Sequence, residues 1–89
     1  MLKTKKLQSI VKGFANHRRI QIMELLKGYP EISVSEISTR LKVNFKTISE
    51  HTRRLALSGL ILKRYKGSNV LHALSPLGNN ILKFLRILE

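Results

Sequence analysis

The sequence predicts a mainly α-helical chain with one small β-hairpin, in the order α-α-α-α-β-β-α. Three observations lead there. Apolar residues recur at helical spacing over most of the 89 residues. Asn16, Ser33, Asn44 and Ser75 each stand where a helix is due to begin, and such side chains can accept a hydrogen bond from an otherwise unpaired amide of the first turn. Between residues 60 and 74 the helical period gives way to two short runs broken by Gly67-Ser68-Asn69.

The first helix is expected over residues 3–14, where Leu7, Ile10, Val11 and Phe14 form an apolar stripe among basic and polar neighbours. Asn16 then caps a second helix containing Ile20, Ile22, Met23, Leu25 and Leu26. Lys27-Gly28 supplies its basic last turn and left-handed terminator, with Pro30 beyond. Ser33-Val34-Ser35-Glu36 has the form of a capping box, in which serine and glutamate each satisfy an amide; Ile37 and Leu41 share a face behind it. Asn44 caps a fourth helix with Ile48, Thr52 and Leu55 as its inner stripe and Gly59 as its stop. Leu60–Tyr65 and Val70–Leu74 form the hairpin. Ser75-Pro76 opens a last helix, on which Leu77, Ile81, Phe84, Leu85 and Leu88 line one face.

The charge is strongly unbalanced: 17 Lys and Arg against 5 Glu give a net charge of +12. Such a surface repels itself and attracts polyanions, which points to nucleic acid. No cysteine is present, so disulfides, thiolate metal sites and cysteine nucleophiles are excluded. The start is basic, yet no apolar run follows it that could serve as a signal core or cross a membrane, and a cytoplasmic protein is expected. One domain over residues 1–89 is expected, because a chain of this length has room for a single core.

A short capped helix, a tight turn, a second helix rich in hydrogen-bonding side chains and then a basic hairpin form a winged helix-turn-helix. The helix-turn-helix spans 33–58 and the wing 60–74. With Ile48, Thr52 and Leu55 inward, Phe45, Lys46, Ser49, Glu50 and Arg53 fall on the opposite arc as candidate base readers. Lys46 or Arg53 can donate to guanine, Glu50 can accept from cytosine, and Phe45 can touch a thymine methyl. Asn44, Thr47 and Arg54 complete the DNA-contacting set on this helix. On the wing, Lys63, Arg64, Lys66, Ser68 and Asn69 are candidate phosphate contacts. Lys63 and Arg64 have a second reading, as charges that protect an edge strand from aggregation.

The segments Phe14–Ile20, Ile32–Ile37, Lys46–His51 and Ser58–Ile61, in this order and spacing, resemble the ArsR-like winged-helix transcriptional regulators from about residue 10 to residue 79. The resemblance implies a homodimer on a palindromic operator, joined through its terminal helices, 3–14 and 76–89. Leu7, Ile10, Val11, Phe14, Leu77, Ile81, Phe84, Leu85 and Leu88 are the candidate interface residues. The same residues have the alternative of completing the core of one protomer.

The chain also departs from that family. Metal-sensing members carry Cys-Val-Cys at the start of the third helix; here it is Ser33-Val34-Ser35, and hydroxyls are poor ligands for soft metals. The last helix lacks the Asp and His pairs of the family's other zinc site. His17, His51 and His72 are scattered over three elements without partners at ligand spacing, and Glu50 and His51, adjacent on a helix, point to different faces. No metal, cofactor or catalytic role is therefore expected. A sequence-specific regulator, most simply a repressor, is the first functional reading. A nonspecific or architectural DNA-binding protein is the second, favoured by the excess charge, and a protein-interaction module is the third.

Overall fold

The computed structural model describes residues 3–89; Met1 and Leu2, part of the basic start, lie outside the described residues. The chain forms α1 (Thr4–Phe14), α2 (His17–Gly28), α3 (Val34–Leu41), α4 (Phe45–Leu57), β1 (Ile61–Lys66), β2 (Asn69–Leu74) and α5 (Pro76–Ile87). This is the winged helix-turn-helix order, with an antiparallel hairpin as the wing.

The helix starts follow the local chemistry. Asn16 Oδ1 accepts from the Arg18 and Arg19 amides, and Asn44 Oδ1 accepts from those of Lys46 and Thr47. Ser33 Oγ accepts from the Glu36 amide and Ser75 Oγ from the Gly78 amide. Only the serine half of the Ser33–Glu36 box forms among the described contacts.

The end of α2 differs from expectation. The helix runs through Gly28, which is not left-handed, and the chain turns instead at Glu31, with φ 61°. Two tertiary contacts hold that loop: the Arg40 guanidinium lies 3.9 Å over the Tyr29 ring, and Arg64 pairs with the Glu31 carboxylate. A longer-range fit has overridden the local glycine signal.

The core is built on α2, which sinks Ile22, Met23 and Leu26 completely, with Ile37, Ile48, Leu55, Leu60 and Ile61 packed around it. Two glycines set how closely the other helices approach. A Cβ on Gly13 would overlap the Ser58 hydroxyl, so its absence lets α1 settle on the end of α4. Ile10 and Phe14, beside Gly13, therefore enter the protomer's own core, at 6% and 7% exposure. This corrects their assignment to a dimer interface. Similarly, Gly78 lets α5 rest on the Leu60 backbone, so α5 faces the core through Gly78 and Leu82. Of the stripe from Leu77 to Leu88, Leu77, Ile81 and Leu85 pack half-buried against the edge of the core, and Phe84 and Leu88 are left exposed.

The wing is tied to the body by His72. It forms an isolated antiparallel bridge with Ile32, and its buried ring Nδ1 lies 3.2 Å from the Ile32 carbonyl oxygen. A carbonyl only accepts, so Nδ1 carries the proton and donates. Burial lowers the His72 pKa below 6.5; the Ile32 carbonyl opposes that shift and Lys63 adds to it.

Two outcomes are expected in unfolding experiments. Gly78→Ala forces α5 off Leu60 and should cost about 1–3 kcal/mol or more. Gly28→Ala, with nothing within 4 Å of the new methyl, should be neutral or stabilising by up to about 1 kcal/mol. The His72 pKa is lower in the folded chain, so the unfolded chain binds more protons and stability falls as pH drops below 6.5. Urea titrations from pH 7.5 to 5 should show this decline, and His72→Gln should reduce it, leaving the part contributed by His51, whose pKa is also lowered in the folded chain. A wild-type chain as stable at pH 5 as at pH 7.5 would contradict the assignment.

Candidate nucleic-acid interface

The turn between α3 and α4 is made by Lys42 in the left-handed conformation, φ 56° and ψ 44°. Ser38 closes it on both sides: its carbonyl accepts from the Val43 amide at 3.1 Å, and its hydroxyl donates to the Val43 carbonyl at 2.6 Å. Asn44 then starts α4. Its Oδ1 is consumed by the cap, so its amide NH₂ is what remains for a partner.

Helix α4 buries Ile48, Thr52 and Leu55 fully. The Thr52 hydroxyl donates to the Ser49 carbonyl at 2.9 Å, which satisfies a polar group inside an otherwise apolar stripe. The opposite arc carries Phe45, Lys46, Thr47, Ser49, Glu50, Arg53 and Arg54, all exposed. Phe45 is 56% exposed at the first position of the helix, an apolar ring left in water.

Glu50 organises the charge on this arc. Arg53 grips it with two hydrogen bonds, Nη2 to Oε1 at 2.7 Å and Nε to Oε2 at 3.1 Å, and Arg54 Nε reaches Oε1 at 3.2 Å. The Arg53 hydrogen bond above all, then its charge and Arg54, lower the Glu50 pKa to about 2. One carboxylate thus occupies two guanidinium groups that could otherwise meet phosphate or guanine. Any base contact by Glu50 or Arg53 exchanges this pairing.

In the wing, Ile61 pairs with Leu74 and the register runs to Lys66 opposite Asn69. Gly67 has φ 62° and Ser68 does not share the positive φ, the II′ arrangement that suits a two-residue hairpin. Lys63, Lys66, Ser68 and Asn69 stand exposed along it. Arg64 differs from them, because its ion pair with Glu31 fastens β1 to the loop before α3. Tyr65 was not among the expected contacts, yet it stands 71% exposed between Arg64 and Lys66. An aromatic flanked by basic residues on a hairpin was the available signal.

His51 lies half-buried on α4. Burial chiefly lowers its pKa, Arg19, Arg54 and His17 add to the shift, and Glu50 opposes it. Among the described residues no three of the His and Glu side chains come together as a metal site. Among the described residues no helix is long and apolar enough to cross a membrane.

On the terminal helices, Leu7 and Val11 of α1, Phe84 of α5 and Leu88 at its C-terminal cap are exposed, while Leu77, Ile81 and Leu85 are half-buried. Ile87, not an expected contact, is exposed beside them.

Residues 16–61 match the family model of winged helix-turn-helix DNA-binding proteins. The chain belongs to that family. The transcriptional activator HlyU of Vibrio cholerae serotype O1 is 36% identical over 66 residues, which are 74% of this chain and 60% of that protein. The solved structure of HlyU from Vibrio cholerae N16961 superposes with a TM-score of 0.83 at 32% identity, covering 99% of this chain and 97% of that one. The homodimeric winged helix-turn-helix domain of Mb0332 from Mycobacterium bovis, described as a possible ArsR-family transcriptional regulator, gives a TM-score of 0.85 at 25% identity. It covers 94% of this chain and 78% of that one. Within its family the chain is thus of the ArsR-like type.

Glu50→Gln should release Arg53 and Arg54 and thereby strengthen binding to a random-sequence duplex. The slope of log affinity against log salt should steepen by about one unit for each new phosphate contact. An unchanged affinity and slope in fluorescence anisotropy would show that the two arginines are not held back by Glu50.

Proposed function

We propose that this chain is a sequence-specific regulator of transcription that binds double-stranded DNA as a homodimer and represses by occupying a palindromic operator. The observation that carries this reading is the division of α4 into a fully buried stripe and an exposed arc beginning with Phe45, Lys46 and Ser49. The N-terminal part of such a helix reads base edges in the major groove. The basic wing adds phosphate contacts that supply affinity and register without reading sequence. Residues 1–89 act as one DNA-binding unit in the cytoplasm, without metal, cofactor or catalysis.

The exposed apolar residues of α1 and α5 support the homodimer, and Mb0332 is described as homodimeric. Burying Leu7, Val11, Phe84 and Leu88 against a second copy removes large side chains from water. HlyU is named an activator. A bound dimer can act with either sign, depending on whether its operator overlaps a polymerase site or that of another repressor.

The net charge of +12 favours a second reading, nonspecific or architectural binding. Two substitutions separate the readings. Lys66→Ala should weaken the preferred sequence and random DNA alike, lowering the salt slope by about one. Ser49→Ala should narrow the gap between them, by about 1–3 kcal/mol where a good base contact is lost. If both variants weakened all duplexes equally, α4 would not be reading bases through Ser49 and the architectural reading would gain.

A further inference from the structure

A cavity of about 420 Å³ lies between α1, the N-terminal turn of α2 and the C-terminal half of α4. Four cations line it: Lys5 and Lys12 from α1, Arg19 from α2 and Arg54 from α4, with the Ser9 and Ser58 hydroxyls beside them. None of the 5 Glu side chains of the sequence is among its lining residues. Like charges gathered in one concavity repel one another, and their field concentrates on an anion placed between them; Glu50, outside the lining, pairs with Arg54 alone among the four.

Two features make this more than a patch of basic surface. Arg19 is fixed in place, since its Nη1 donates to the Lys12 carbonyl at 3.3 Å and the Gly13 carbonyl at 3.1 Å, at the end of α1. Its Nε is buried with no hydrogen-bond partner, an orphaned donor on a guanidinium whose charge is disfavoured by burial and by Arg54 and favoured by Glu50. The cavity walls are also held by close packing, because Gly13 brings α1 directly against Ser58.

We propose that this cavity binds a small polyphosphate-bearing anion, with Lys5, Lys12, Arg19 and Arg54 as its cationic ligands. Guanidinium forks match pairs of phosphate oxygens, and lysine ammonium groups add mobile point charges. A backbone phosphodiester of DNA brings one negative charge, fewer than the cations that line this cavity. A diphosphate brings about three and fits the volume. The cavity also lies toward the end of α4 opposite its Asn44 cap and Phe45.

Arg54 couples the cavity to the recognition helix, since the guanidinium that lines the cavity also holds Glu50 at 3.2 Å. An anion that takes Arg54 competes with Glu50 for it. The occupied state is one in which Glu50 keeps Arg53 alone.

Isothermal titration of the full chain with inorganic pyrophosphate at physiological salt, without DNA, tests the binding separately from the regulatory reading. One site per chain is expected. Lys12→Gln should weaken it about tenfold, the loss of one charge-assisted contact, whereas Lys83→Gln on α5 should leave it unchanged. Glu50→Gln should tighten it by freeing Arg54, and Glu24→Gln, with the same change in charge, should not. Equal weakening by Lys12→Gln and Lys83→Gln, or no saturable site, would overturn the proposal. A random duplex added to the saturated protein should leave pyrophosphate bound. If the duplex displaced it mole for mole, and Lys12→Gln cost the duplex the same factor, the cavity would be a DNA backbone contact and the proposal would fall.

Discussion

The contact on which the arrangement depends most is the seam between the end of α4 and the start of α5. The Ser75 amide donates to the Leu60 carbonyl at 3.1 Å, the Ser75 hydroxyl donates to the Gly59 carbonyl at 2.6 Å, and the Gly78 amide donates back to that hydroxyl. Gly78 makes the seam possible, since any side chain there would occupy the space of the Leu60 carbonyl. These few groups fix both ends of the hairpin against α4, with Gly59 left-handed at φ 77° to begin the reversal. They also set the rotation of α5, and so determine which of its apolar residues meet the core and which stay outside. The placement of the wing and the composition of the outward face are consequences of one packed joint.

Charge is arranged around this frame with equal economy. A chain of net charge +12 has an unspecific attraction for DNA built into its surface. Sequence discrimination needs cations that are restrained as well as cations that are available. Glu50 restrains Arg53 and Arg54, and Glu31 restrains Arg64, while Lys46, Lys63 and Lys66 stand exposed. Exposed ion pairs of this kind contribute little to stability. Their effect lies in which cations are ready to meet phosphate and which must first give up a partner.

What the sequence disclosed was mostly local. Asn16, Ser33, Asn44 and Ser75 were legible as caps because a cap is decided within three residues. Ile48, Thr52 and Leu55 were legible as one face because a helix of 3.6 residues per turn brings them together. Apart from the half-formed Ser33–Glu36 box, the misreadings involve distant partners. Gly28 carried the usual mark of a helix end, yet Tyr29 and Glu31 are held from α3 and β1, and the turn moved downstream. Ile10 and Phe14 shared a stripe with Leu7 and Val11, and periodicity alone could not tell that Gly13 would draw half the stripe into the core. The Glu50 pairing with Arg53 and Arg54 was available from i,i+3 and i,i+4 spacing, but which charges pair and which stay free depends on the rotamers adopted.

The central claim is that two copies of α4 read sequence in successive major grooves. Selection of bound fragments from a pool of random duplexes, followed by footprinting of the enriched sequence, tests it most directly. The expected result is an inverted repeat whose half-sites are protected about one helical turn, 10–10.5 base pairs, apart, with two chains on each duplex. Enrichment of no common sequence, or of an unrepeated site covered by a single chain, would contradict it.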